Sequence, residues 1–220
     1  MLVASQLVFV HIPRTGGAFV KGVLGDHLEV DVSAPRLATH AAYHELPAKF
    51  RDRPGFCVVR NPWDWYVSWY HHSMAQGPRL AGLDPSHPKR ANWRTLFSGG
   101  QSTFKETVTR MCEGRLEHAF SGSARRRDVD LYSEYVRVLA GRAIGQGQLE
   151  PGRFEELVPF LVDFLDRRGL LTDPLRDAIE GSPPTNASEH GPYRTYYDQE
   201  LRELVGHKAR WLTERFGYAF

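Results

Sequence analysis

Two short runs of consecutive apolar residues are the clearest structural signals in the chain. Residues 7–10 read Leu-Val-Phe-Val, and residues 55–60 read Gly-Phe-Cys-Val-Val-Arg. Runs of β-branched and aromatic residues without polar interruption are typical of parallel strands that are covered on both faces. The two runs therefore predict two buried strands of one sheet.

Each predicted strand is followed by apolar residues at helical spacing. A turn with two glycines leads into the first helix, for which Gly25 is a plausible stop. Pro62 suits the first position of the second helix, because the amide hydrogen that proline lacks is not needed there. The apolar faces are Phe19, Val20, Val23 and Leu24 in the first helix, and Trp63, Tyr66, Val67 and Tyr70 in the second. Strands that alternate with helices predict an α/β domain with a mainly parallel sheet.

The pattern beyond the second helix is less regular. Residues 75–92 are rich in Gly and Pro and predict a long loop. Pro159 suits the start of a further helix, which Gly169 ends. Asp198 is a good N-cap for a last helix that stops at Gly217.

Composition narrows the class of protein. The chain has 220 residues, 41% of them hydrophobic, which is enough for one buried core and predicts a single domain over residues 1–220. A formal net charge of +2 does not resemble the strongly basic footprint of nucleic-acid-binding proteins. The apolar start has no basic residue ahead of it, and no apolar stretch approaches the roughly 20 residues of a membrane helix. We therefore expect a cytoplasmic protein with no nucleic-acid partner and no membrane span.

The turn after the first predicted strand carries a cation, a hydroxyl and two glycines, in the sequence His-Ile-Pro-Arg-Thr-Gly-Gly. The first amides of a helix lack intrachain partners, and the helix dipole leaves positive potential beside them. Gly16 and Gly17 allow a ligand to approach the backbone closely, while Arg14 supplies a charge and Thr15 a hydroxyl donor. This grouping predicts a cradle for phosphate or sulfate, although a Gly-Gly turn after a strand is also common as a purely structural feature. The Gly-Lys-Ser/Thr of nucleotide P-loops is absent, so magnesium-dependent NTP hydrolysis has no direct support.

A second candidate site lies at the end of the other predicted strand. Arg60 ends that strand, and Ser68 follows on the helix that Pro62 opens. A guanidinium and a hydroxyl so placed can converge on one more phosphate. The alternative is that Arg60 pairs with Asp64 and that Ser68 faces solvent.

The segments "HIPRTGG" and "VVRNPWDWYVSWYHH" resemble the two loops of the cytosolic-type sulfotransferase superfamily, which uses 3'-phosphoadenosine 5'-phosphosulfate (PAPS). They look most like small bacterial members related to the carbohydrate and heparan sulfotransferases. The loops of those members read His-Ile-Pro-Lys-Thr-Gly-Gly-Thr-Ser and Arg-Asn-Pro-x-Asp-Arg-x-x-Ser. The later segments "DLYSEYVRVLAG", "GRFEEL" and "NASEHGPYRTYYDQELRELV" are also similar, so the resemblance covers nearly the whole chain. It is weakest from about residue 73 to residue 127.

The resemblance implies a three-layer, P-loop-like sulfotransferase fold in which helices flank a central, mainly parallel sheet. It also implies PAPS as the donor substrate, with no metal required. In these relatives the first loop grips the 5'-phosphosulfate and the second grips the 3'-phosphate. The donor contacts carried over are Arg14, Thr15, Gly16, Gly17, Ala18, Arg60 and Ser68, with Asn186, Ser188 and Arg194 in a tail loop that closes over the adenosine end.

The sequence departs from the relatives at four of these loop positions. Arg14 stands where most of them have Lys, which keeps the cation but not the compact ammonium. Ala18 and Phe19 replace Thr and Ser, so two hydroxyls are lost, and Trp65 replaces an Arg.

A base is also needed to remove a proton from the attacking hydroxyl, and histidine suits that task near neutral pH. Related sulfotransferases place a catalytic His or Glu between the two loops, which favours His40 and leaves His44 as the second choice. The resemblance thus implies catalytic roles for His40, Arg14 and His44. The spacing of the two histidines also fits a metal pair, but no third ligand is evident from spacing, so general-base chemistry is the preferred interpretation.

Three hypotheses for the function remain. The first is a sulfotransferase that acts on a hydroxyl, with a sugar or glycoconjugate as the expected acceptor and residues 73–127 as the variable segment that shapes its pocket. The second is a P-loop kinase-like phosphotransferase. The third is a non-catalytic nucleotide- or glycan-binding protein, for which the hydroxyls lost at Ala18 and Phe19 are the best argument.

Overall fold

The computed structural model describes residues 1–31, 33, 39–84, 88–113, 129–183 and 189–220. Its strands are β1 (Leu2–Val3), β2 (Val8–Val10), β3 (Gly55–Val59) and β4 (Leu149–Arg153). They form one sheet in the order β1-β2-β3-β4, in which β2, β3 and β4 are parallel and β1 is antiparallel. The two strands predicted from the apolar runs are thus confirmed, and they pair directly.

The α-helices of the described residues follow in chain order. They are α1 (Gly17–His27), α2 (Pro62–Ala75), α3 (Gly77–Ala81), α4 (Pro88–Phe97), α5 (Phe104–Glu113), α6 (Leu131–Val136), α7 (Arg142–Gly145), α8 (Leu157–Asp166), α9 (Asp173–Gly181), α10 (Gln199–Lys208) and α11 (Arg210–Phe216). A π-helical stretch, Arg137–Gly141, joins α6 to α7. The predicted α/β class, with a mainly parallel central sheet flanked by helices, is confirmed. Among the described residues, no helix is both long and apolar enough to cross a membrane.

The chain divides into two compact units. The first unit comprises residues 1–60 and 136–187, and the second comprises residues 61–135 and 188–220. The predicted single domain, with its variable segment over residues 73–127, stays a prediction.

The core of the first unit lies against one face of the sheet. Phe9 of β2 and Phe56 of β3 are partners in register, with ring centroids 4.9 Å apart. The apolar faces of α1, α8 and α9 pack on them, including the four residues predicted for α1. Residues on the opposite face of the strands, such as Val10 and Cys57, are also fully buried. The prediction of strands covered on both faces is therefore confirmed.

The core of the second unit is aromatic and is organised around α2. Trp65 is fully buried and stacks on Tyr132, with centroids 4.4 Å apart. Asp130 is also fully buried, where it accepts hydrogen bonds from the Tyr66 hydroxyl at 2.6 Å and from the amides of Tyr132 and Ser133 at the start of α6. Trp65, which stands where the relatives carry Arg, is thus part of this packed aromatic core.

Several local predictions are confirmed. Pro62 is the first residue of α2, where Asn61 caps the helix by accepting from the Trp63 amide. Asp198 caps α10 by accepting from the Leu201 amide at 2.8 Å. Gly217 ends α11 in the left-handed conformation, as its position predicted. The predicted last helix is, however, divided at Ala209 into α10 and α11.

Other local predictions are wrong. Residues 75–92 are not one long loop, because α3 and the start of α4 lie within them, with Pro78 and Pro88 in first turns where proline is tolerated. Gly25 does not end α1, since the Leu28 amide still closes onto the Leu24 carbonyl at 2.8 Å. Strand β4 was missed because it contains Pro151 and Gly152, which disfavour a strand in general but are tolerated on its edge position.

Candidate functional site

The candidate site of the first unit lies where its parallel strands end. Strand β2 leads into residues 11–17, β3 into Arg60, and β4 into Phe154. Because parallel strands run in the same direction, these three continuations leave the same edge of the sheet. Ligands of open α/β sheets bind at this carboxyl edge.

The loop between β2 and α1 has an unusual backbone. Arg14 has a φ of 62° and Gly16 a φ of 78°, so two residues in the left-handed region flank Thr15. Such alternation turns successive amides toward one concavity, which is an anion-binding nest. Gly16 is also the N-cap of α1 and has no side chain to satisfy the first-turn amides. The predicted oxyanion cradle therefore has suitable backbone geometry.

The Thr15 side chain does not point its proton at a ligand in this conformation. Thr15 is fully buried, and its hydroxyl donates to the Ile12 carbonyl at 2.8 Å. A hydroxyl has one proton to donate. Thr15 thus closes the loop onto itself, and what it can offer an anion is its backbone amide.

Both glycines of the motif are required by packing. A Cβ on Gly16 would lie 2.7 Å from Leu157 Cδ2 and 3.2 Å from the Phe154 ring. A Cβ on Gly17 would overlap the imidazole of His11. The backbone of the loop is therefore closely approached by the side chain of His11, which directly follows β2, and by side chains from the segment after β4.

Two arginines bring positive charge to this loop. The Arg60 guanidinium is buried, donates to the Arg14 carbonyl at 3.2 Å, and lies over the Phe154 ring at 4.3 Å from its centroid. Burial, and next the charge of Arg60, lower the pKa of Arg14 to about 10. Two partly desolvated guanidinium groups so close together attract an anion strongly, because an anion would relieve their mutual repulsion.

A pair of histidines adjoins the same loop. His40 Nδ1 lies 3.1 Å from the carbonyl oxygen of His11, and the two rings are 4.5 Å apart between centroids. Since a carbonyl can only accept, this hydrogen bond requires the proton of neutral His40 to be on Nδ1, which makes Nε2 the unprotonated nitrogen of the ring. Burial, followed by the charges of His40 and Lys21, lowers the pKa of His11 to about 3.

Two further predicted residues, Ala18 and His44, also belong to the first unit. Ala18 is the second residue of α1 and is partly buried. His44 is exposed on a short 3₁₀ turn, Tyr43–Glu45, and Ala42 before it is extended. Residues spaced as His40 and His44 are would lie on one face of a continuous helix, but no such helix joins them, so they do not share a helical face.

Ser68 belongs to the second unit. It lies on α2 and is only 1% exposed, so the alternative in which its hydroxyl faces solvent is wrong.

The predicted tail contacts are described only in part. Arg194 is exposed, and its guanidinium lies 5.3 Å from the ring centroids of Tyr193 and Phe220. Asn186 and Ser188 lie outside the described residues.

Phe154 is the site residue that sequence reasoning missed. Its ring contacts both the Arg60 guanidinium and the space beside Gly16. Phe154 lies within the segment "GRFEEL", and the resemblance of that segment to the relatives is the signal that could have indicated it. Within the described part of the chain, no three His, Cys, Asp or Glu side chains are grouped so that they could hold a metal ion.

Comparison with known proteins identifies a fold. No protein-family model matches the sequence, and no curated protein matches it. Among solved structures, the chain is similar to mouse sulfotransferase SULT7A1 complexed with PAP. The TM-score is 0.54 and the identity 16%, over 97% of this chain and 89% of that chain. The fold of this chain is therefore the α/β fold of a sulfotransferase, as the two loops predicted.

Proposed function

We propose that this protein is a sulfotransferase that transfers a sulfuryl group from PAPS to a hydroxyl acceptor. The observation that carries the proposal is the contact between the two predicted anion loops, in which Arg60 donates to the Arg14 carbonyl at 3.2 Å. The contact brings both candidate phosphate-binding cations to one edge of a sheet with the sulfotransferase fold. A donor with phosphate at both its 5' and 3' positions needs two such cations.

The 5'-phosphosulfate end of the donor would be held by the nest and the first amides of α1. Gly16, Gly17 and Ala18 supply backbone amides at the positive end of the helix dipole. Arg14 would neutralise charge that develops on the leaving 5'-phosphate oxygen as the sulfur–oxygen bond breaks. Thr15 keeps the loop closed through its bond to Ile12 and contributes its amide.

The 3'-phosphate of the donor would be held by Arg60 together with Ser68. The Arg60 guanidinium lies over the ring of Phe154, a contact that favours its planar fork over a lysine ammonium. Asn186, Ser188 and Arg194 are proposed to close over the adenosine end.

The base for the acceptor hydroxyl would be His40. Its Nδ1–H is held by the His11 carbonyl, so Nε2 is the nitrogen that takes the proton. In the reaction, the acceptor oxygen forms a bond to sulfur, the bond from sulfur to the 5'-phosphate oxygen breaks, and the acceptor proton goes to His40 Nε2. His44 is the second choice for this role, and no metal is required by this sequence of events.

The acceptor class rests on the resemblance of the two loops to small bacterial carbohydrate sulfotransferases. We propose a sugar or glycoconjugate hydroxyl as the acceptor, a pocket shaped by residues 73–127, and a cytoplasmic location.

A second candidate function is a non-catalytic binding protein of the same fold. Two observations favour it: the Thr15 proton is committed to Ile12, and Ala18 and Phe19 offer no hydroxyls at the start of α1. Such a protein would bind the nucleotide but would transfer no sulfate.

Calorimetric titration with adenosine 3',5'-bisphosphate in the absence of magnesium separates these functions. We expect saturable binding of this desulfated donor, together with transfer of labelled sulfate from PAPS to a panel of sugar and phenolic hydroxyls. Binding without any transfer would favour the non-catalytic protein. A requirement for ATP with magnesium would favour the kinase-like phosphotransferase, and no nucleotide binding at all would refute the proposal.

A further inference from the structure

His11 is a buried polar side chain that the proposed reaction does not use. It directly follows β2 and is 8% exposed, and its Nδ1 has no hydrogen-bond partner among the described residues. Burying a polar nitrogen without a partner costs free energy, so such a group calls for an explanation. Its neighbours on both sides supply one.

On one side, the imidazole fills the space beside the first residue of α1. An ideal Cβ on Gly17 would overlap the Cδ2 and Nε2 atoms of His11. The ring also stacks on Phe9, with centroids 5.9 Å apart and an interplanar angle of 22°. The position of the ring is therefore fixed by the end of the sheet and by the start of the anion-binding helix.

On the other side, His11 holds the candidate base. Its carbonyl oxygen accepts from His40 Nδ1 at 3.1 Å, and its ring lies 4.5 Å from the ring of His40. One residue thus determines both the tautomer of His40 and the distance between His40 and the first turn of α1.

The surroundings also keep His11 uncharged. Besides its burial, the groups that face it are cations or can become cations, namely His40, Lys21 of α1, the Met1 amino group and Arg14. A second positive imidazole here would repel the proton that His40 must accept. A neutral ring in contact with His40 avoids that repulsion.

We infer that His11 is a positioning residue, whose ring and carbonyl hold His40 at a fixed distance from the anion-binding turn with the proton of neutral His40 on Nδ1. The inference rests on the proposed function, because it assigns His11 a role in the reaction proposed above. The bulk of the ring, Nε2 included, fills the space beside Gly17.

The test is nitrogen-15 NMR of the histidine rings in the full chain, at a series of pH values, for wild type, His11→Ala and His11→Phe. A His40→Ala variant assigns the signals. In wild type we expect His40 to be neutral with its proton on Nδ1. In His11→Ala we expect mixed tautomers and a His40 titration moved upward on the order of half a pH unit or more, because water then reaches the ring and stabilises its cation. His11→Phe keeps a ring against Gly17 and should restore the behaviour of wild type.

The control is Phe164→Leu, which weakens the core of the first unit at a position that contacts Phe56. It should lower the melting temperature and leave the tautomer and titration of His40 unchanged, because a general loss of packing does not act on that ring. The inference is overturned if His11→Ala leaves His40 as in wild type, or if His11→Phe behaves like His11→Ala.

The measurement is made without nucleotide and is then repeated with adenosine 3',5'-bisphosphate. A failure of that nucleotide to bind would count against the proposed function and would leave the His40 titration readable. A double-mutant cycle adds an independent check. Gly17→Ala should lower the unfolding free energy of wild type, and it should lower it much less in the His11→Ala background, because the space beside residue 17 is then open. Equal losses in both backgrounds would show that the contact between these two residues is not the one described.

Discussion

The guanidinium of Arg60 donates a hydrogen bond to the carbonyl oxygen of Arg14 at 3.2 Å. The contact joins the end of β3 to the loop after β2, across 46 residues of sequence. It also places a buried charge beside a residue held at a φ of 62°, a conformation that costs a non-glycine residue of the order of 1–2 kcal/mol. Strain and desolvated charge at one turn are typical of a site that recognises an anion.

Replacing Arg60 by Lys should weaken nucleotide binding. The charge is kept, but the planar fork that reaches the Arg14 carbonyl and stacks on Phe154 is lost. A hydrogen bond to a charged group contributes about 1.5–3 kcal/mol, so the dissociation constant for adenosine 3',5'-bisphosphate should rise about 10- to 150-fold by calorimetry. Arg210→Lys, at an exposed position on α11, is the matched control and should bind as wild type does. Equal affinities for wild type and Arg60→Lys would remove Arg60 from the site.

Replacing Phe154 by Leu tests the residue that sequence reasoning missed. The substitution keeps an apolar side chain near Gly16 but removes the ring beneath Arg60. Cation–π contacts contribute about 0.5–2 kcal/mol, which corresponds to a loss of about 2- to 30-fold in affinity for the same nucleotide. Phe160→Leu is the control, because that ring contacts Phe56 and Phe164 in the same unit. The role of Phe154 would be disproved if both variants bound equally well.

The sequence predicted much of the fold because its strongest signals are local. The apolar runs of β2 and β3 are short, unbroken and buried on both faces, and Pro62, Asp198 and Gly217 mark helix ends through their own backbone chemistry. Strand β4 could not be predicted in this way, because five pairs with β3 stabilise a segment whose Pro and Gly disfavour a strand. Tertiary pairing there overrides local propensity.

The site was predicted less completely than the fold. Its charged residues and glycines follow from the motif, and Arg14 and Arg60 do lie together. What the sequence could not supply is the direction of each side chain. The Thr15 hydroxyl turns inward to Ile12, and the space beside Gly17 is filled by a ring six residues earlier in the chain. The directions of side chains depend on packing between segments that are distant in the sequence, and the spacing of residues along the chain does not determine that packing.

Gly16, the N-cap of α1, and Gly22, in the middle of that helix, should respond oppositely to substitution by Ala. Gly16→Ala forces a side chain into the left-handed region and to within 2.7 Å of Leu157, which should cost about 2 kcal/mol or more of unfolding free energy. Gly22→Ala lies inside the same helix with open space around it, and should gain about 0.5–1 kcal/mol from helix propensity. Urea denaturation measures both. Stabilisation by Gly16→Ala would contradict the backbone geometry of the loop.

Replacing His40 by Ala should separate chemistry from donor binding. General-base catalysis contributes about 10²- to 10⁴-fold, so sulfate transfer from PAPS should fall by that factor while the affinity for adenosine 3',5'-bisphosphate is retained. His207→Ala, exposed on α10, is the control and should transfer sulfate at the rate of wild type. If His44→Ala lost the activity and His40→Ala kept it, the base would be His44.

The depressed pKa of His11 predicts a specific loss of stability in mild acid. The unfolded chain takes up this proton near pH 6.5, whereas the folded chain does so only near pH 3, so the unfolded state binds more protons in between. The unfolding free energy should therefore fall as pH is lowered through this window, by up to about 1.4 kcal/mol per pH unit from this group. Asp31 has its pKa lowered to about 2, chiefly by the Ser33 hydroxyl, and so contributes to acid loss only below about pH 4. Burial also lowers the pKa of the Met1 amino group to about 5 and that of His71, and both give a slope of the same sign between about pH 4.5 and 6.5. The contribution of His11 is therefore read as the difference from His11→Phe, which has no proton to take up and should show a shallower slope in urea denaturation. Parallel slopes for the two proteins would mean that His11 is not held neutral by the fold.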